Sequence, residues 1–126
     1  MGYRSEVVLA ISKHLTPFLT LACSQSAAAQ TLVFNDADHF DRNYEDEKSW
    51  LIRWDAIKWY ESYEDIQTLE KFICEATSDE YSFEIDGQNQ NSSEHIKFVR
   101  VGEESGDIEM SGDGFWDIYP TTSICY

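Results

Sequence analysis

The sequence predicts an α+β fold: a mostly antiparallel sheet of four to five strands with two helices packed on one face, in the order β-α-β-α-β-β-β. Three observations carry that reading. From Lys48 the chain alternates, with Trp50, Ile52 and Trp54 on one side of an extended segment and Leu51, Arg53 and Asp55 on the other. From Tyr63 the period lengthens, and Tyr63, Ile66, Leu69, Ile73 and Ala76 recur at the three- and four-residue spacing of one helical face. Three of the four tryptophans fall within residues 50–59, so much of the apolar area available to a core lies where strand gives way to helix.

The remaining elements follow in order. Tyr3 to Ile11 alternates and ends apolar on both sides, the pattern of an interior strand. Ser12 or Thr16 can cap the next helix, and Pro17 is tolerated only in its first turn. Leu15, Phe18, Ala22, Ser26 and Ala29 give that helix its core face. Residues 35–48, with six acids, read as a long polar connection, functional or mobile. Tyr81 to Asp86 alternates as a half-buried strand, Gly87 to Glu94 is a turn, and His95 to Val101 is the strand expected to close an antiparallel hairpin with it. Gly102 to Gly114 is a second acidic loop or a frayed strand carrying Ile108 and Met110. Phe115 to Tyr126 is a last strand interrupted by Pro120, expected to lie at an edge or to begin again after the proline. No repeat or linker divides the chain, so residues 1–126 read as one domain.

Charge is the unusual quantity. The 126 residues carry 24 acids against 9 Lys plus Arg, a net of −15, where a net charge of about 2 to 8 in magnitude suffices for solubility. Residues 1–58 hold 8 acids and 6 bases, a net of −2; residues 59–126 hold 16 acids and only Lys71, Lys97 and Arg100, a net of −13. Such a field disfavours direct nucleic-acid binding and anionic membranes, and favours a basic protein or ribonucleoprotein partner. Cys23, Cys74 and Cys125 form no CxxC pair; Cys23 and Cys74 lie on apolar helical stretches and read as buried thiols in a reducing cytosol. The N-terminal apolar run is interrupted by Glu6, Lys13, His14 and Pro17, and Gly2 lacks the serine or threonine that a myristoylation signal wants at residue 6, so a cytosolic monomer or homodimer is expected.

No catalytic or cofactor motif is present. The run Asp36-Ala37-Asp38-His39-Phe40-Asp41 departs from a calcium loop, with Phe40 at a ligand position and no turn glycine, and reads as a solvated acidic loop. His14, His39 and His95 share no metal-ligand spacing. Phosphate-binding glycine loops and GxSxG and HExxH signatures are missing, so no enzyme, cofactor or metal is expected. The acids are the functional candidates. Asp36, Asp38, Asp41, Glu45, Asp46 and Glu47 share the first loop, Glu61, Glu64 and Asp65 open the second helix, and Glu103, Glu104, Asp107, Glu109 and Asp113 share the second loop. Carboxylates with few counter-charges repel one another, a cost that binding a basic partner relieves. Trp59, Tyr60 and Trp116 are the aromatic candidates for anchors on such a surface.

The opening Met-Gly-Tyr-Arg-Ser-Glu-Val, the run Trp54-Asp55-Ala56-Ile57-Lys58-Trp59-Tyr60, and Phe98-Val99-Arg100-Val101-Gly102-Glu103-Glu104 followed by Asp107-Ile108-Glu109 resemble small acidic proteins of bacteriophages and prophages. That resemblance supplies context and no catalytic residues. It implies a protein acting on the bacterial host, as acidic inhibitors of CRISPR effectors and restriction enzymes do, some by imitating the phosphate array of DNA. The expected function is therefore an anti-defence inhibitor in the host cytosol that docks an acidic face on a basic nucleic-acid-binding groove. The alternatives are an immunity protein neutralising a basic nuclease, and a small enzyme.

Overall fold

The strand at Ser5–Ile11 (β1) is the middle of the architecture, and its composition is the reason. Val7, Val8, Leu9, Ala10 and Ile11 are fully buried, which a strand achieves only when both faces are covered and both edges paired. The computed structural model describes residues 2–114, 116–120, 124 and 125. After β1 come α1 (Thr16–Cys23), α2 (Ala27–Phe34), β2 (His39–Tyr44), β3 (Ser49–Ile57), α3 (Glu64–Thr77), β4 (Ser82–Ile85), β5 (Gln88–Asn91), a 3-10 turn at Ser92–His95, β6 (Ile96–Gly102), β7 (Ile108–Ser111), β8 (Tyr119–Pro120) and β9 (Ile124–Cys125). The main sheet is antiparallel with the order β2-β3-β1-β6-β7. The α+β class and the sheet expected from the sequence are thus present, with three helices instead of two and more strands.

Side-chain alternation sorts the sheet into two faces. Val7, Leu9, Ile11, Ile52, Trp54, Ile96 and Phe98 face the three helices, which contribute Leu19, Val33, Ile66, Leu69, Phe72 and Ile73. The opposite set, Val8, Ala10, Leu51 and Val99, is covered by Tyr44 and by Trp116, Ile118 and Ile124 of the C-terminal segment. Glu6 holds that segment down: its Oε1 accepts the Ile124 N–H at 2.9 Å and pairs with Arg53 at 2.9 Å.

Four expectations change. The first helix is two: the chain turns at Ser24–Ser26, and the Ser26 hydroxyl accepts the Ala29 N–H, capping α2. Neither Ser12 nor Thr16 caps α1, whose N-cap is Leu15 without a side-chain bond. The polar connection at 35–48 contains β2, which pairs with β3 through a bulge between Asp41 and Tyr44. The segment 81–86 does not pair with 95–101. Asp86 and Gly87 both take positive φ (52° and 80°), the two-residue hairpin turn that an Asp-Gly pair favours, and β4 folds back on β5 instead. Tyr81 and Phe83 then seat this hairpin against Phe18, Phe72, His14 and His95. Phe115 and residues 121–123 and 126 of the expected last strand lie outside the described residues.

A candidate protein-binding surface

Nine bases serve 24 acids, so the placement of each base decides which carboxylates remain uncompensated. Arg100 projects from β6 toward β7. Its Nε and Nη2 donate to Glu109 at 3.1 and 2.7 Å, Nη2 donates to Asp107 at 2.8 Å, and Nη1 donates to Ser5 Oγ at 2.9 Å. Tyr3 adds its hydroxyl to Asp107 at 2.6 Å and accepts the Glu104 N–H at 2.8 Å. The bonds from Arg100 and then from Tyr3 hold the Asp107 carboxyl below the usual aspartate range. Burial works against charge on Arg100, but the bonds to Asp107 and Glu109 prevail and raise its pKa. Nearby, Glu70 accepts the Trp59 Nε1–H, and its pKa is raised, first by burial. Asp107 and Glu109 are therefore tied into the sheet. They are the ends of a structural clamp rather than free acids.

Arg53 is used similarly, between Glu6 and Asp55, and Lys71 lies 3.9 Å from Glu75. Among the described residues the ion-paired carboxylates are thus Glu6, Asp55, Glu75, Asp107 and Glu109. Of the nineteen acids outside those pairs, seven lie at one end of the sheet, where β1 begins and β3 and β6 finish: Ser5 pairs with both Ile57 and Gly102. A cleft of about 370 Å³ opens there, lined by Asp36 and Asp38 ahead of β2, Tyr63 and Asp65 at the start of α3, and the bases Arg4 and Lys58. Glu103 adjoins it, accepting the Arg4 N–H at 3.0 Å, while Arg4 Nη1 donates to the Ala56 carbonyl. Asp38 also accepts the Asp55 N–H at 2.7 Å. Glu61, Glu64 and Glu104 are exposed and stand within two residues of Tyr63, Asp65 and Glu103 in the chain.

The other predicted acids lie elsewhere. Asp41 is in β2 and accepts the Asn43 N–H. Glu45, Asp46 and Glu47 occupy the β2–β3 turn at the opposite end, about 20 Å away along a seven-residue strand. Asp113 also sits toward that end, its N–H donated to the Ser93 carbonyl. The two acidic loops therefore contribute to one surface only through their first members. Trp59 and Trp116 are corrected as surface anchors: each is only 8 % exposed. Trp59 packs on Trp54 and Phe98, and Trp116 sits under the second face of the sheet, because indoles of that size bury wherever a sheet face would otherwise be wet. Tyr60 is half-buried and leans on Tyr63, 5.2 Å between rings; Tyr63 itself is 43 % exposed.

The sequence reading missed a second cluster. His14 and His95, without shared spacing, come to 5.7 Å between rings, with His95 Nδ1 2.9 Å from Ser12 Oγ. Burial, then His14, lowers the His95 pKa. Strand pairing of β1 with β6 produces this proximity, through Ser12 N–H to the His95 carbonyl. Among the described residues, no group of three or more His, Cys, Asp or Glu is arranged to hold a metal ion, and no helix is long and apolar enough to cross a membrane. Cys23 is buried as expected, its pKa pushed up by burial to about 11, whereas Cys74 is exposed. No family model matches the chain, and neither a curated protein nor a solved structure matches it significantly.

Proposed function

We propose that this protein is a non-catalytic inhibitor that presents the acidic end of its sheet to a basic, nucleic-acid-binding surface of a bacterial defence effector, in the host cytosol. The supporting observation is the convergence of Asp36, Asp38, Glu61, Glu64, Asp65, Glu103 and Glu104, from three separated segments, on one end where the cleft-lining bases among the described residues are Arg4 and Lys58. A surface assembled that way attracts a cationic groove, accelerates encounter and competes with phosphates for the same lysines and arginines.

The test separates this end from the rest of the charge. Glu61, Glu64 and Glu104 are exposed and, among the described residues, their carboxylates enter no ion pair, so reversing all three to lysine probes binding without dismantling the structure. Against a panel of purified CRISPR effectors and restriction enzymes, the expected result is inhibition that weakens steeply with salt and falls at least a hundredfold in the triple reversal. Reversing Glu47 and Asp113 at the opposite end is expected to change it little. Inhibition insensitive to salt and to the triple reversal sinks the reading, as does a lysate pull-down that recovers a single small basic nuclease, which belongs to an immunity protein.

A further inference from the structure

The two outer strands of the sheet differ in what they offer a neighbour. β7 ends the sheet order, and its pairing with β6 is regular over Val101–Ile108, Arg100–Glu109, Val99–Met110 and Phe98–Ser111. Gly102 N–H bonds the Asp107 carbonyl at 2.8 Å, which sets the alternation: residues 107, 109 and 111 turn their backbone groups inward to β6, and Ile108 and Met110 turn theirs outward. The Ile108 N–H is taken by the Gly106 carbonyl. The Ile108 carbonyl and the Met110 N–H and carbonyl thus remain on the open edge, among the described residues. Side chains alternate across the plane as well. Ile108 and Met110 share one face, 43 % and 48 % exposed, and Asp107 and Glu109 share the other, around Arg100.

From this alternation we infer that β7 is a docking edge for an extended basic segment of the partner, which adds to the sheet as a sixth strand. The inference rests on the proposed reading that the partner is basic, and it specifies how part of that partner is held. Strand addition draws its affinity from main-chain bonds and its selectivity from side chains of alternating sense. On the Ile108–Met110 face the neighbour is apolar. On the Asp107–Glu109 face two carboxylates share the single guanidinium of Arg100, so a lysine or arginine beside them completes the charge balance. A second copy of this chain is a poor occupant, because each brings a net charge of −15.

The probe is an acetylated, amidated six-residue peptide alternating lysine and valine, titrated into the full chain by two-dimensional NMR. Three controls accompany it: the same peptide N-methylated at alternate residues, the variant Met110→Pro, and the double variant Ile108→Lys with Met110→Lys. Proline at 110 removes an outward N–H and leaves the pairing with β6 intact; the lysine pair keeps every backbone group and repels the peptide. Expected are amide shifts centred on residues 108–111, and at least tenfold weaker binding with the methylated peptide and with either variant. Absence of binding overturns the inference. So does binding that is diffuse and unchanged by methylation or by the lysine pair. Either result, with effector inhibition still lost in the Glu61, Glu64 and Glu104 reversals, removes the edge and keeps the inhibitor reading; edge binding with no effector inhibited removes the reading itself.

Discussion

The two edges of the sheet are chemically opposite: β2 carries Asp41 and its own cation, Arg42, whereas β7 carries Glu109 alone. On β2 the exposed Arg42 lies over Phe40, 4.2 Å from the ring centroid, and near Trp50, and a bulge twists the strand between Asp41 and Tyr44. That edge is shielded by a cation and bent out of register, two ways in which proteins discourage further pairing. On β7 the arginine comes from the neighbouring strand instead and sits beneath the edge, holding Asp107 and Glu109 to the sheet and leaving Ile108 and Met110 open. The difference teaches that a charge guards an edge only when it stands on the outermost strand; one strand further in, it becomes an anchor.

The change that breaks this contrast most severely is Arg100→Met. Asp107 and Glu109 then lose their common cation while Glu70 stays half-buried beside them, and the variant is expected to lose about 2 to 3 kcal/mol, the upper part of the range for hydrogen bonds to a charged group, since the carboxylates left behind are partly solvated. Urea unfolding measures it, with hydrogen exchange expected to quicken first at residues 108–111; a loss below about 1 kcal/mol would show that β7 is not held by its arginine. Next in size is Gly112→Ala. Gly112 has φ of +88°, and a Cβ there would meet the Ile96 carbonyl oxygen, so a loss of about 2 kcal/mol is expected, with β7 released at its far end.

Acid sharpens the comparison less severely. The Asp107 pKa is lowered on folding, chiefly by Arg100 and then by Tyr3. A carboxyl with a depressed folded pKa adds stability that is complete above its ordinary value of about 4 and is lost as pH falls through the depressed one. Thermal melts between pH 5 and pH 2 should therefore show an acid-sensitive contribution that Asp107→Asn abolishes; a parallel pH dependence in the two proteins counts against the clamp. The smallest effect belongs to β2. Arg42→Ala removes the cation over Phe40 and costs about 0.5 to 1 kcal/mol, and because the bulge remains, the variant is expected to stay as unaggregated as the parent in light scattering.

Much of the frame was legible in the residues. Val7–Ile11 read as an interior strand, and the Trp50–Ile52–Trp54 alternation and the Ile66–Leu69–Ile73–Ala76 face are all present. Two local signals mark what periodicity alone does not: Asp86-Gly87, whose positive φ values make β4 and β5 their own hairpin, and Ser26, whose hydroxyl starts a second helix. Tyr63, which shares the spacing of the buried face of α3, is its exposed N-cap, and Phe72 fills the core position three residues after Leu69. The site was less legible. That Asp107 and Glu109 are held while Glu61, Glu64 and Glu104 are not depends on one arginine, and its partners Ser5 and Asp107 lie 95 and 7 residues away in the chain.

By itself the sequence determined the fold class, the strand that both faces bury, and a surplus of negative charge concentrated after residue 58. Those follow from periodicity and composition, which act between neighbours or over the whole chain. Only the tertiary structure decided which acids are spent on Arg53 and Arg100, that Trp59 and Trp116 turn inward, that Asp36, Asp65 and Glu103 meet at one end, and that β7 is left open. Each of these is set by strand order and register, through contacts between segments far apart in the chain, where neither spacing nor charge counts can reach.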